Sequence, residues 1–216
     1  MKTFLPILLM LSSLFSYANE FSSPTEKGID LFILAGQSNA QGWQGDGKAY
    51  PADPEGLDAA IPLYWVSPGM SDSGKEWTHL KPQAGRFPSG HFGLEVTFAR
   101  NLERERRQGY RSNHTAIFKY TLGSTSIATF WKTPGEGGHY DKMLTELKAA
   151  IESLETEGSK VNVAGFIWIQ GESDAQTPEM AELTATVFRV LLMTCENHSA
   201  IASCRSSLAS TNNIPG

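Results

Sequence analysis

Cysteine is nearly absent, with only Cys195 and Cys204 in 216 residues. Two cysteines exclude a disulfide scaffold and a four-ligand zinc site. A basic excess is missing as well. The net charge is -5 and the pI is near 5.6, which argues against nucleic acid as a partner. No Walker A loop, dinucleotide fingerprint or His-Glu-x-x-His motif occurs. The reading therefore assigns no cofactor and no metal. Beyond residue 17 no long apolar run follows, so no stable membrane anchor is expected. The hydrophobic share of 40% and charged share of 19% are those of a globular chain. The length suits one domain, or one domain with appendages.

The chain opens with Lys2 and an apolar run from Phe4 to Tyr17. Ser16 and Ala18 supply the small residues of a cleavage site. This pattern reads as a signal peptide over 1–18, cleaved after Ala18, and predicts a secreted or periplasmic protein. Asn113-His114-Thr115 and Asn197-His198-Ser199 match the glycosylation acceptor pattern.

Ile29 to Ala35 is a nearly unbroken apolar run ending at Gly36, as in a strand buried on both faces of a parallel sheet. Thr115–Thr121 and Val161–Ile169 are two further strands of this kind. Residues 42–91 are rich in Gly, Pro, Asp and Ser, without a sustained period, and read as a long excursion of the kind that is functional or disordered. Leu94–Arg107 is predicted helical, with Leu94, Phe98 and Leu102 on one face and Gly109 as its stop. Lys142–Thr156 is the clearest helix. Leu144, Leu147, Ile151 and Leu154 line it, and Asp141 is its expected cap. Pro178 opens another helix. This alternation predicts a doubly wound α/β sheet, whose ligands sit beyond the carboxyl ends of the strands.

Each strand end carries polar residues. Gly36-Gln37-Ser38-Asn39 follows the first. A serine there is placed as a nucleophile or as a simple helix cap, and the segment alone does not choose. It departs from Gly-x-Ser-x-Gly because Ala40 fills the last position. Leu122-Gly123-Ser124-Thr125 follows the second strand, where Gly123 admits close approach of a ligand or merely a turn. Gln170-Gly171-Glu172-Ser173-Asp174 follows the third. Gln170 can donate to an oxyanion, and ionised Glu172 can orient its neighbours.

LFILAGQSNAQG (31–42), FGLEVTFAR (92–100), IFKYTLGSTSIATFW (117–131) and FIWIQGESDA (166–175) together resemble the sialate O-acetylesterase-like domain. That domain is carbohydrate esterase family 6, of the SGNH-type hydrolases. The resemblance covers roughly 29–183 and leaves 184–216 as an atypical tail. It implies a three-layer α/β/α fold around a parallel sheet, flavodoxin-like and here incomplete on its C-terminal side. It implies a serine esterase that removes acetyl groups from sugars such as xylan or sialic acid, with an acetylated carbohydrate as substrate. By this resemblance Ser38 is the nucleophile, the Ser38 N–H, Gly123 and Gln170 form the oxyanion hole, and Glu172 orients. Many relatives carry Gly-Gly-Thr where this chain has Gly123-Ser124-Thr125, and histidine where it has Ile169.

The family's base is a histidine in an Asp-x-x-His block near the C-terminus. Histidines stand at 79, 91, 114, 139 and 198, and none has aspartate three residues before it. Glu136-Gly-Gly-His139 comes nearest, in what reads as a surface loop; His198 lies on the expected side of the third block. The tail holds both cysteines and five serines between Ser199 and Ser210. It reads as a frame shift or truncation near residue 184, which would leave an exposed sheet edge and an inactive or poorly soluble product. The alternative is a non-catalytic carbohydrate-binding relative. Trp43, Trp65, Trp77 and Trp131 would then be candidates for stacking on sugar rings. Another SGNH-type activity, on lipids or thioesters, fits the Gln-Gly-Glu block less well.

Overall fold

Strand β1, Lys27–Gly36, forms the middle of the molecule because its side chains are apolar on both faces. It pairs in parallel with β4, His114–Thr121, on one side and β5, Ser159–Ile169, on the other. The computed structural model describes residues 27–71 and 74–184, together with 187 and 189. The signal-peptide reading, Asn197, His198 and both cysteines lie outside the described residues.

The three expected strands form with extended ends, and the sheet holds two more. Strand β2, Pro62–Val66, runs parallel beside β4, and β3, Thr78–His79, is antiparallel to β2. The order is β3-β2-β4-β1-β5. The 42–91 excursion was thus under-read. Its Leu-Tyr-Trp-Val run is a buried strand too short to show a period. Among the described residues β5 is an edge strand. From Ala164 to Ile169 it is half-buried throughout.

Helix α1 is the short turn Ser38–Gln41 after β1. Helix α2, Glu95–Arg107, packs on one face of the sheet and α3, His139–Thr156, on the other. Residues 178–184 are helical, with Pro178 first. The α3 stripe is as expected, with Leu144, Leu147, Ile151 and Leu154 buried. Two expectations about the helices are corrected. The buried face of α2 is Glu95, Val96, Ala99, Arg100 and Glu103, while Phe98 and Leu102 are only partly buried. Asp141 lies inside the first turn of α3, where it accepts the Gly135 and Gly137 N–H groups; the N-cap is Gly138. No described helix is long and apolar enough to cross a membrane.

Polar residues tie the strands at both ends of the sheet. At the amino end Asp30 accepts from Arg111 at 2.7 Å and from Asn113 and Asn162 at 2.9 Å each. Burial pushes the Asp30 carboxyl up, but these donors outweigh it and hold it below its usual value. Asn113, read from sequence as a glycosylation acceptor, gives its side-chain amide to this cluster.

Nearer the carboxyl end, Lys119 of β4 is wholly buried. Its ammonium meets Glu95 Oε2 at 2.9 Å, Gln83 Oε1 at 2.8 Å and the Gln41 carbonyl at 2.9 Å. Burial holds its pKa below the usual lysine value, and Glu95 opposes that shift. Removing one member of such a pair leaves an uncompensated buried charge. Glu95→Ala is expected to cost about 3–5 kcal/mol of stability, and Lys119→Met/Glu95→Met markedly less. Urea unfolding of the two variants measures this; equal losses in both would refute it.

Candidate active site

The carboxyl ends of β1, β4 and β5 meet at one place. Gly36 closes β1 with φ of 139°, and a Cβ there would stand 2.0 Å from the Ile169 carbonyl oxygen. Only glycine lets β1 and β5 approach so closely. The Leu122 N–H donates to the Gly36 carbonyl at 3.0 Å, and the Gln37 N–H to the Ile169 carbonyl at 3.0 Å. The first polar segment is therefore stitched by backbone to the other two.

Ser38 is the first residue of α1 and is half-buried. Gly42 ends the turn with φ of 84°, where a Cβ would strike the Phe92 carbonyl. Among the described residues the Ser38 hydroxyl has no hydrogen-bond partner, and neither the Ser38 N–H nor the Gly123 N–H is engaged. A Cβ placed on Gly123 would touch only Gln41 Oε1, at 3.6 Å.

The side chains join the same segments. Glu172 accepts from Gln37 Nε2 and Asn39 Nδ2, the residues on either side of Ser38. Ser173 donates to Gln37 Oε1 at 3.1 Å. Gln170 Nε2 donates to the Thr125 carbonyl at 2.9 Å and to Asp174. Asp174 is buried and accepts the Ile127 N–H at 2.9 Å and the Thr184 hydroxyl at 2.6 Å. Ile127 begins a π-turn, Ile127–Trp131, of the kind that often marks functional sites. The structure thus brings Ser38, Gly123, Gln170 and Glu172 to one end of the sheet.

Sequence reasoning missed Gln37, Asn39, Ser173 and Asp174. The available signal was their adjacency to Ser38 and Glu172. Ser124 carries a second signal. It adopts φ of 57°, a left-handed conformation that favours glycine.

The histidines divide by position. His79 and His114 pair with Pro62 and Ile29, at the amino ends of β2 and β1, away from Ser38. His91 is buried, with both ring nitrogens unpartnered; burial and Lys119 push its pKa down to about 4. His139 is not in a surface loop. It opens α3 half-buried, with Nδ1 3.0 Å from the Tyr120 hydroxyl and its ring against Trp131. Burial first, and Lys142 second, lower its pKa. None of these four is hydrogen-bonded to Ser38.

Of the four tryptophans offered for stacking, Trp65 and Trp131 are core residues. Trp77 is partly buried and donates to the Ala150 carbonyl at 3.0 Å. Only Trp43 is exposed, at 37%.

Comparison with known proteins adds the family. A crystal structure of a protein from Arabidopsis thaliana is similar, with a TM-score of 0.57 and 20% identity over 83% of this chain and 72% of that one. This likeness supports the three-layer α/β/α fold. A carbohydrate acetylesterase from Xanthomonas citri aligns with a TM-score of 0.45 and 22% identity, over 76% of this chain and 36% of that one. No curated protein matches. The family model described as "Carbohydrate esterase, sialic acid-specific acetylesterase" matches residues 28–202, starting one residue before the expected domain and ending past residue 183. The chain belongs to this family of carbohydrate esterases, which are carboxylic ester hydrolases.

Proposed function

We propose that the protein is an exported serine esterase that removes O-acetyl groups from carbohydrates of the xylan or sialic-acid type through an acetyl-serine intermediate. The carrying observation is the state of Ser38. Among the described residues its hydroxyl and N–H, together with the Gly123 N–H, are uncommitted, while the amide groups of Gln37, Asn39 and Gln170 and the Ser173 hydroxyl around them donate to Glu172, Asp174, the Thr125 carbonyl and Gln37. Ser38 Oγ would attack the acetyl carbonyl while its proton passes to a base. The carbonyl π electrons move onto oxygen. Collapse of that oxyanion breaks the acyl–oxygen bond, the sugar oxygen leaves as a hydroxyl with the proton the base took, and water then cleaves the acetyl-serine to acetate and free Ser38. The Ser38 and Gly123 N–H groups would face the oxyanion. Gln170 would complete the hole by turning one amide N–H from Asp174 or Thr125 to the reacting oxygen. Glu172 would orient, by gripping Gln37 and Asn39 on both sides of the nucleophile.

A second reading rests on one observation: no described histidine reaches Ser38. A chain without a base would bind acetylated sugars and turn them over poorly. Oxyanion stabilisation and binding alone retain roughly 10³–10⁴-fold over water.

Incubation with p-nitrophenyl acetate followed by peptide mass spectrometry separates the readings. The esterase reading expects an acetyl group on the peptide carrying Ser38, absent in Ser38→Ala, with release of p-nitrophenolate. Sugar binding with an unlabelled Ser38 would leave the binding-protein reading standing. Gln170→Ala is expected to slow acetylation about 10²–10³-fold. Glu172→Gln keeps the shape but puts an amide N–H or a neutral acceptor before Gln37 and Asn39. It is expected to slow acetylation by about tenfold or more, from loosened positioning of Ser38. Wild-type rates in Glu172→Gln would remove the orienting role.

A further inference from the structure

Trp43 stands apart from the other tryptophans. It belongs to neither hydrophobic cluster and is exposed one turn beyond Ser38, whose carbonyl accepts the Trp43 N–H at 3.0 Å. An exposed indole does not hold one orientation unless something fixes it. Here the Arg86 guanidinium lies 4.4 Å from the centroid of the Trp43 ring and 5.0 Å from that of Phe87, and Arg86 NH1 donates to the Trp43 carbonyl at 2.9 Å. Arg86 is also unusual among the arginines around it. Arg100, Arg104, Arg106, Arg107 and Arg111 each pair with a carboxylate. Arg86 has no carboxylate partner among the described residues; its described contacts are the two rings and that carbonyl.

The loop bearing Arg86 is pinned to the segment that follows Trp43. Gln83 and His91 exchange both backbone hydrogen bonds at 2.7 Å. The Phe92 N–H reaches the Gly45 carbonyl at 3.1 Å, and the Gly47 N–H the Gly90 carbonyl at 2.8 Å. The stack is therefore held by backbone on both sides, with one face of the indole occupied by a cation that fixes it.

We propose that the free face of Trp43 is a subsite for a pyranose ring of the carbohydrate that carries the acetyl ester, with Arg86 as the residue that positions the indole. The proposal rests on the reading of the chain as a carbohydrate esterase or its binding relative. The apolar face of a pyranose matches a rigid aromatic plane, and a pre-ordered plane avoids the entropy cost of fixing it on binding. The subsite is tolerant of ring identity, as stacking platforms are. It would serve the sugar and not the acetyl group.

The test measures binding of unacetylated xylo-oligosaccharides and of a methyl sialoside by saturation-transfer NMR and indole fluorescence. The full chain is compared with Trp43→Ala, Trp43→Phe, Arg86→Ala and Ser38→Ala. At least one of the two sugars is expected to bind the wild type. Trp43→Ala is expected to weaken that sugar about tenfold, Trp43→Phe less, Arg86→Ala about threefold, and Ser38→Ala not at all. Equal sugar affinity in Trp43→Ala and wild type overturns the subsite, as does binding of neither sugar by the wild type. A chain that binds sugar through Trp43 while Ser38 stays unacetylated keeps the subsite and loses the esterase reading. The three substituted side chains, Ser38, Trp43 and Arg86, are exposed or half-buried, and thermal melts of the variants check that folding is intact.

Discussion

The buried ammonium of Lys119 is the point on which the reactive end of the sheet depends. A charge wholly inside a protein is tolerated only when its donors are used. Lys119 uses its donors on three different segments: Glu95 of α2, Gln83 of the long excursion, and the Gln41 carbonyl at the end of the serine turn. The excursion, which also supplies β2 and β3, is anchored here to the same cation that binds the Gln41 carbonyl at the end of α1. His91 lies beside this charge. Held neutral by burial and by Lys119 itself, it adds no second positive charge to the cavity. The price of burying one ion pair is returned as a fixed geometry for Ser38 relative to β4.

The opposite flank is organised by two carboxylates on the loop after β5. Glu172 spans Gln37 and Asn39 across the serine, and Asp174 gathers Gln170, Ile127 and Thr184. Glu172 is exposed and Asp174 buried, which suits their partners. Glu172 holds side chains at the rim, whereas Asp174 satisfies a backbone N–H under the π-turn that would otherwise be orphaned. Both follow β5, an edge strand among the described residues and the least buried of the central three.

Much of this architecture was legible in the sequence because it repeats a simple rule. Three apolar runs, each ending in Gly or Gln-Gly, gave the three central strands, and their polar ends gave Ser38, Gly123, Gln170 and Glu172. Strand β2 was hidden because five residues bounded by Pro62 and Ser67 are too few to show periodicity, and its burial comes from a non-local pairing with β4. The α2 stripe was misplaced by counting apolar residues alone. Glu95, Arg100 and Glu103 are buried because each has a charged partner, and charge pairing carries no helical period. Lys119 was unreadable for the same reason. In IFKY it looks like the polar tooth of a strand, and only the convergence of Glu95 and Gln83 from distant segments turns it inward.

The chemistry of the site narrows to a question of protons. Stabilising an oxyanion needs donors, and two backbone N–H groups stand unengaged beside Ser38. Activating the serine needs an acceptor, and here each described histidine is excluded by its own surroundings. His79 and His114 lie at the wrong end of the strands. His91 is enclosed with its pKa near 4. His139 faces the Tyr120 hydroxyl on the α3 side of the sheet. Glu172 is the nearest carboxylate in sequence to Gln170, and its two oxygens accept from Gln37 and Asn39. His198 is the one histidine of the sequence that lies outside the described residues. If Ser38 is the nucleophile proposed above, the described residues offer it two unengaged N–H donors and no histidine to take its proton.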